Sequence, residues 1–326
     1  MKLIALSIAT ASTFSATYVT AQSLPDNMYL DGYIEVSSTD LTGDRETLGR
    51  ASLNFGLEPN RGAGLGVGFS IGIDAFDLSG SGLSEAVVYP AVTFALGNTG
   101  LLSVGVPRPV MDYGYIPQDT MAHSSSMDLI FEVSGITNSI TSRLYLYGPV
   151  ILGDRPNLYG LRYDGEFGNT KIGAAYHRMS LSGAPNDADI YSIAFQHRLG
   201  PIGGLGETKL FGGAEVFNDG GSNLTTYAFG AEANSDKLRT GLILSKLDTT
   251  ISVTTAKLYA DYQFTDRFSL AGSVMHINPD GGGANADSYG LGVEYQFLNG
   301  GYLNASYTST DITSNDIFEV SLGWRF

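Results

Sequence analysis

The stretch Leu65-Gly66-Val67-Gly68-Phe69-Ser70-Ile71-Gly72-Ile73-Asp74 alternates strictly between apolar side chains and small or polar ones. Successive side chains of a β-strand point to opposite faces, so this strand has one apolar face and one small or polar face. The same alternation recurs at 50–58, 256–264 and 290–297. Segments of about ten residues with this pattern are typical of strands that cross a membrane in a closed barrel. The sequence therefore predicts an all-β fold, a transmembrane antiparallel β-barrel.

A soluble β-sandwich is the competing interpretation, since its strands alternate too. The buried face of a sandwich packs on a second sheet, however, and carries large side chains on both sheets. In this chain the second face is repeatedly Gly, Ser, Ala, Asp or Arg, which favours a water-filled lumen. No fixed-length repeat indicates a solenoid, and no segment with helical periodicity stands out after the first residues.

Composition and charge narrow the function further. The 326 residues include 42 Gly, 19 Tyr and 16 Phe but no Cys, and the net charge is −15. An acidic chain of this kind is a poor candidate for binding nucleic acid or an anionic lipid surface. The absence of Cys indicates that disulfides do not stabilise the fold, which suits a barrel whose strands are fully hydrogen-bonded.

The N-terminal residues have the layout of an export signal. Lys2 precedes a mostly apolar stretch at 3–16, and Val19-Thr20-Ala21 forms a small-residue cleavage site. An N-terminal membrane anchor is the alternative, but Ser and Thr interrupt a stretch that is shorter than the roughly 20 residues a spanning helix needs. We expect 1–21 to be a signal peptide and 22–326 to form a single barrel domain.

Counting alternating segments predicts about sixteen strands, with short and longer connections in turn. The segments are 29–38, 47–58, 63–75, 86–97, 100–106, 158–167, 171–180, 188–199, 207–217, 223–233, 238–248, 253–264, 267–277, 286–297, 301–310 and 316–326. An even number places both termini on the periplasmic side. The count leaves 107–157 as one long connection. Since 127–134 and 138–147 also alternate, a further hairpin and eighteen strands are the alternative.

Two parts of the sequence resemble a known family. The last strand carries an apolar stripe that ends in an aromatic residue, namely Phe318, Val320, Leu322, Trp324 and Phe326, and it is similar to the assembly signal of outer-membrane proteins. The stretch 102–109, the long connection after it and the hairpin at 159–176 resemble Gram-negative outer-membrane general diffusion porins. The resemblance implies a loop after strand 5 folded into the lumen, a homotrimer, and the bacterial cell outer membrane as location. It also implies contact with lipid, lipopolysaccharide and the barrel-assembly machinery.

These expectations define a function without a reaction. We expect a water-filled channel for passive diffusion of small hydrophilic solutes and ions, weakly cation-preferring, with no enzyme activity, cofactor, metal or nucleic-acid partner. The charged candidates for the pore constriction lie on the long connection or on the polar faces of strands: Asp112, Asp119, Asp128, Glu132, Arg50, Arg108, Arg143, Arg162, Arg198 and Lys257, with Asp164 beside Arg162. A structural or adhesive barrel without an open pore is one alternative. A substrate-specific channel is another, and Tyr113 and Tyr115 could then begin an aromatic track.

Catalytic and metal motifs are weak. His123-Ser124 are neighbours in sequence, but a nucleophile, a base and an orienting group must also meet in space. The four histidines, His123, His177, His197 and His276, are expected at the surface or an interface. The glycines at 62–68 precede no helix, so a phosphate-binding loop is not indicated. The stretch 280–283 with Asp287 could bind calcium weakly, although a flexible loop is the preferred interpretation.

Overall fold

The computed structural model describes residues 27–40, 45–60, 66–79, 83–117, 122–134, 136, 138–151, 153–180, 186–221, 223–249, 252–280, 283–297, 299–313 and 316–326. Sixteen strands form a closed barrel in which every strand is hydrogen-bonded to its sequence neighbours and β1 closes on β16. All sixteen pairings are antiparallel, which confirms the predicted fold class and strand number.

The strands follow the predicted segments to within a few residues. They are β1 (Met28–Thr39), β2 (Glu46–Leu57), β3 (Val67–Leu78), β4 (Leu83–Ala95), β5 (Leu101–Gly105), β6 (Asn157–Phe167), β7 (Thr170–Ser180), β8 (Ala188–Pro201), β9 (Glu207–Asn218), β10 (Asn223–Asn234), β11 (Leu238–Asp248), β12 (Val253–Thr265), β13 (Phe268–Pro279), β14 (Ala286–Gln296), β15 (Gly301–Thr310) and β16 (Ile317–Arg325).

The barrel has two distinct ends. At the turn end, β1 begins, β16 ends, and tight connections such as 168–169 and 266–267 join the strands. At the loop end lies the connection from β5 to β6, which is far longer than the others. The position of each residue along a strand therefore tells how deep in the barrel its side chain lies.

Alternation along the strands separates the outer wall from the lumen. Large apolar side chains face outward and remain exposed, for example Leu291 on β14 and Leu322 on β16, which are 56% and 55% exposed. The stripe Phe318, Val320, Leu322, Trp324 and Phe326 lies entirely on this outer face. An apolar outer belt of this kind suits contact with the hydrocarbon core of a bilayer.

Two helices lie in the long connection, where the sequence indicated none. They are α1 (Ser125–Ser134) and α2 (Ile140–Ile151), so the eighteen-strand alternative is wrong. Serines precede both: the hydroxyl of Ser124 accepts from Met127 N at 3.2 Å, and that of Ser139 accepts from Ser142 N at 3.2 Å. These N-caps are the signal that period-two counting overlooked. Within the part of the chain that the structure describes, no helix is long and apolar enough to cross a membrane.

The helices pack inside the loop-end half of the barrel on an apolar inner wall. Met127 and Phe131 of α1 contact Met275 and Ile277 of β13 together with Ile317 of β16. On other walls, Ile140 and Leu144 of α2 join one apolar cluster, and Leu129 of α1 and Tyr147 of α2 join another. Burying one such side chain stabilises the fold by roughly 1.5–3 kcal/mol. The small and polar residues that recur on the second face in the sequence thus give way to large apolar ones in this half.

Candidate functional site

The chain leaves the wall at the end of β5 and turns into the lumen. Gly105 has φ +131°, and a Cβ there would lie 2.6 Å from the carbonyl oxygen of Pro90, so this turn requires glycine. Val106 N donates to that same oxygen at 2.7 Å. His177 of β7 is fully buried and its Nε2 donates to Pro107 O at 2.8 Å. The expectation of a surface histidine is wrong here, because His177 fixes the exit from the wall.

The residues that follow cross the barrel from one wall to the opposite one. We call Arg108–Ile116 the crossing segment. Met111 is buried against β9, where a Cβ on Gly213 would lie 2.3 Å from the Met111 sulfur. The hydroxyl of Tyr113 reaches β1, at 3.0 Å from both carboxylate oxygens of Asp31. Strands β1 and β9 lie on opposite sides of a sixteen-stranded ring. The crossing segment therefore spans the lumen.

Arg108 anchors the start of the crossing segment. Its guanidinium pairs with Asp74 of β3, with Nη2 at 2.9 Å from Oδ1, and lies 3.7 Å from Asp112. It also stacks on Tyr89 and Tyr113, with ring centroids at 4.8 and 5.6 Å. Burial alone lowers the pKa of Arg108, but the carboxylates of Asp74 and Asp112 outweigh this and raise it. The positive charge of Arg108 is thus permanent and compensated locally.

Arg162 of β6 holds the middle of the crossing segment. It donates to the backbone oxygens of Arg108 and Tyr113 at 3.0 and 3.2 Å, and to Asp164 Oδ1 at 2.7 Å. The hydroxyl of Tyr115 donates to the same Asp164 oxygen at 2.9 Å. The tyrosines proposed as the start of an aromatic track therefore use their hydroxyls to fix the segment to the wall.

The N-terminus of α1 is bound by two buried glutamates. Glu319 of β16 accepts from Ser126 N at 2.9 Å and from the Ser124 hydroxyl at 3.0 Å, and Glu35 of β1 accepts from the Ser125 hydroxyl. Carboxylates stabilise a helix N-terminus because it carries unsatisfied N–H groups and a partial positive charge. The Ser124 hydroxyl, considered above together with His123, is thus engaged in capping α1.

The N-terminus of α2 is bound in the same way on the opposite wall. Glu215 of β9 accepts from Thr141 N at 2.8 Å and from the Ser139 hydroxyl at 3.2 Å. Glu215 is fully buried. Both helices of the long connection are therefore tied to wall strands, and these strands lie on opposite sides of the barrel.

Arg50 of β2 meets two of the predicted loop acids directly. Its guanidinium lies 3.3 Å from Glu132 and 3.9 Å from Asp128, and it donates to Ser125 O at 3.2 Å. Arg143 of α2 donates from Nε to Glu132 O at 2.8 Å. The sequence placed these charges around the constriction, and the structure brings them into one cluster that ties α1, α2 and β2 together.

A cavity of about 730 Å³ runs along the long connection and is walled by β11 to β16 and by parts of β1 to β4. It reaches from Asn138 and from Ser142 of α2 to Asp266 and Arg267 at the turn end, and Lys257 of β12 also lines it. The charged lining comprises nine acids and eight bases: Glu35, Asp74, Asp112, Asp128, Glu132, Asp236, Asp261, Asp266, Glu294, Arg50, Arg108, Arg143, Lys237, Arg239, Lys257, Arg267 and Arg325. We call it the pore cavity.

Two further charge networks lie on its wall near the turn end. Glu232 of β10 binds Lys209 at 2.8 Å and Arg239 at 2.9 Å, and accepts from the Tyr259 hydroxyl at 2.7 Å. Glu294 of β14 pairs with Arg325 of β16 at 2.6 Å. The sequence analysis did not select these residues, although their inward position follows from the same alternation.

The remaining predicted residues lie apart from these clusters. Arg198 is exposed near the turn end of β8 and is not among the residues that line the pore cavity. Asp119 lies outside the described residues. His197 and His276 are on the outer face, where they contact Thr170 and Asp287 at 2.8 and 2.7 Å. The described residues contain no group of three or more His, Asp and Glu placed to hold a metal ion.

Solved structures with the same fold are bacterial porins. One porin structure aligns with 92% of this chain and 100% of its own, with a TM-score of 0.62 and 14% identity. The porin of Rhodopseudomonas blastica, solved as a triple mutant, gives a TM-score of 0.57 and 16% identity over the same coverage. No protein-family model and no curated protein matches the sequence. At this identity the likeness shows the fold, a closed sixteen-stranded barrel of the porin type.

Proposed function

We propose that this protein is a porin of the bacterial outer membrane, a water-filled channel for passive diffusion of small hydrophilic solutes and ions. The observation that carries the proposal is the pore cavity, whose lining mixes both signs of charge along its length. A polar, hydrated lumen inside an apolar outer belt is the arrangement that lets water-soluble molecules cross a membrane. The proposed activity is passive and involves no reaction.

The ion preference follows from the charges at the pore cavity rather than from the whole chain. The chain carries fifteen more acids than bases, but the cavity lining has nine acids against eight bases. Several of these are paired, such as Arg108 with Asp74. Salt solution in the lumen screens the unpaired charges over roughly 8–10 Å at ordinary ionic strength. We therefore propose a weak preference for cations.

Conductance in planar lipid bilayers tests the proposal. The refolded protein should form ohmic channels, and reversal potentials in a salt gradient should show a small cation preference. A variant in which 107–156 is replaced by a short flexible linker should still form the barrel, because β5 and β6 are already neighbours in the sheet. It should conduct more, because the long connection no longer occupies the lumen. If the intact protein inserts but never conducts, the proposal fails.

A barrel without an open pore is the second candidate, and one observation favours it. The apolar clusters around α1 and α2 fill the inner wall of the loop-end half on several sides. Hydrophobic constrictions can close a channel to water and ions. In this case the intact protein would be silent in bilayers, whereas the variant with a shortened connection would conduct.

Trimer formation and the cellular partners are part of the same proposal. Small outward residues lie side by side across three strands, since Ala51 pairs with Ala75 and Ala75 with Ala86. Small side chains let the walls of neighbouring barrels approach closely. We propose a homotrimer that is inserted by the barrel-assembly machinery and contacts outer-membrane lipid and lipopolysaccharide.

A further inference from the structure

A second cavity of about 440 Å³ lies on the turn-end side of the crossing segment. Its walls are the turn-end halves of β1 to β7, and its roof is formed by Arg108, Tyr113, Gly114 and Tyr115. The pore cavity takes the other half of the turn end, along β11 to β16. We call the second cavity the recess.

The crossing segment keeps the recess off the path of the pore cavity. Tyr113 is tied to Asp31, and the backbone oxygens of Arg108 and Tyr113 are tied to Arg162. The two cavities meet only at residues around Tyr89, Arg108 and Tyr113, which line both. A molecule in the recess would therefore sit beneath a fixed roof, beside the pore cavity and not within it.

Aromatic rings form part of the lining, and the wall makes room for them. A Cβ on Gly56 would lie 2.5 Å from the hydroxyl of Tyr29, so this ring lies flat on β2. A Cβ on Gly173 would lie 2.6 Å from the ring of Tyr115. With Tyr89 and Tyr113, four phenol rings line one small volume. Arg108 and Arg162 already stack on one face of Tyr113 and Tyr115, respectively. The faces of such rings attract cations.

The carboxylates of the recess exceed its cations. Asp31 accepts hydrogen bonds from Tyr113 and from Asn54 Nδ2 at 2.9 Å, but within the described ranges it forms no ion pair. Glu58 and Glu166 also line the recess and likewise form no ion pair with a described residue. Lys171 is the one cation of the lining that lacks a described carboxylate partner. The described part of the lining thus holds four carboxylates against three cations, with Lys171 the cross-strand neighbour of Glu166, and its net charge is weakly negative.

We propose that the recess binds a small organic cation that carries an ammonium group. The ammonium group lies among Tyr29, Tyr113 and the carboxylate of Asp31, and Glu58 and Glu166 attract it from the mouth. The volume suits a molecule of fewer than about ten heavy atoms, since it is near the lower limit for small-molecule pockets. The site faces the compartment at the turn end, so it can bind solutes from that side whether or not the pore conducts.

Calorimetric titration of the refolded full chain with choline tests this, and 3,3-dimethylbutan-1-ol, its neutral isostere, serves as the matched probe. Choline should bind, and the neutral alcohol should bind at least tenfold more weakly. Asp31→Asn keeps an oxygen that accepts from Tyr113 but removes the charge, and should weaken choline binding by roughly tenfold. Asp266→Asn changes net charge equally in the pore cavity and should leave binding unchanged.

Several outcomes would overturn the proposal. If choline and its isostere bind equally, the recess is an apolar pocket that does not recognise the positive charge. If Asp31→Asn and Asp266→Asn weaken choline binding equally, choline is attracted by the overall negative charge of the protein and not by a specific site. Binding of glucose with no binding of choline would assign the recess to neutral polyols. Conductance without choline binding would refute the proposed binding site and leave the proposed channel function intact. Choline binding without conductance would refute the channel function alone.

Discussion

Thr141 N donates a 2.8 Å hydrogen bond to Oε1 of Glu215, and this contact joins the first turn of α2 to the wall strand β9. Glu319 does the same for α1 from the opposite wall, through Ser126 N at 2.9 Å. A carboxylate at a helix N-terminus gains from the charge of the helix end as well as from the hydrogen bond. The position of the long connection is therefore set by wall strands and does not depend on the loop alone.

Replacing Glu215 with alanine should loosen α2 without unfolding the barrel. The change leaves the Thr141 N–H and the Ser139 hydroxyl without their acceptor, at a cost of about 1–3 kcal/mol each. We expect noisier single-channel current and faster protease cleavage near α2. Glu207→Ala, on the same strand at the turn end, is the matched control and should behave as the parent protein does. Identical current noise in both variants would argue against the anchor.

Removing the Tyr113 hydroxyl should free the middle of the crossing segment. Tyr113→Phe deletes the hydrogen bond to Asp31, and a bond to a charged group contributes about 1.5–3 kcal/mol. The barrel should still form, because its strand ladder is untouched, but the midpoint of thermal unfolding should fall slightly and conductance should rise. Tyr227→Phe, on the exposed outer face, is the control. A conductance equal to that of the control would show that the hydrogen bond from Tyr113 to Asp31 does not hold the crossing segment in place.

The barrel could be predicted from the sequence because its determinant is local. Period two at residues such as Ile71, Gly72 and Ile73 assigns each side chain to a face without knowledge of its neighbours. The predicted third strand stopped at residue 75, whereas β3 continues to Leu78. Phe76 is apolar on the inner face, so the alternation of apolar with small or polar residues breaks at this position. That residue is apolar because Tyr147 of α2 packs on it, with ring centroids 4.9 Å apart.

The site was predicted less well because its partners are distant in sequence. The chain shows that Arg50 and Glu132 are charged, but only the fold places them 3.3 Å apart. Glu215 and Glu319 lie on the inner faces of their strands, and alternation alone would have placed them in the lumen. Nothing local distinguishes a glutamate that meets water from one that caps a helix entering from another part of the chain.

A bulky side chain on the outward surface formed by Ala51, Ala75 and Ala86 should prevent the proposed trimer from forming. Ala75→Trp places a large ring where Ala51 and Ala86 lie on either side, so a neighbouring barrel could no longer approach. Light scattering in mild detergent should show about three times the monomer mass for the parent protein and the monomer mass for the variant. Ala260→Trp, outward on β12, is the control and should remain trimeric. A parent protein that is monomeric in several detergents would exclude the trimer.

Cation preference should depend on pH through Asp112. Burial and the nearby Asp74 carboxylate both raise the pKa of Asp112, Arg108 opposes them, and the net result is a pKa of about 6. Because Asp112 lines the pore cavity, its negative charge develops there as pH rises through about 6. Reversal potentials should thus show weaker cation preference at pH 4.5 than at pH 7.5.

The variant Asp112→Asn separates this effect from other titrations. In this variant the cation preference should change little between pH 4.5 and pH 7.5, and at pH 4.5 it should equal that of the parent protein. The stability effect has the same origin: a carboxyl group whose pKa is raised by folding favours the fold when protonated, and this contribution is lost as pH rises through about 6. The variant should therefore gain more stability relative to the parent at pH 7.5 than at pH 4.5. Parallel pH profiles of ion preference in both proteins would show that Asp112 does not set the charge of the pore.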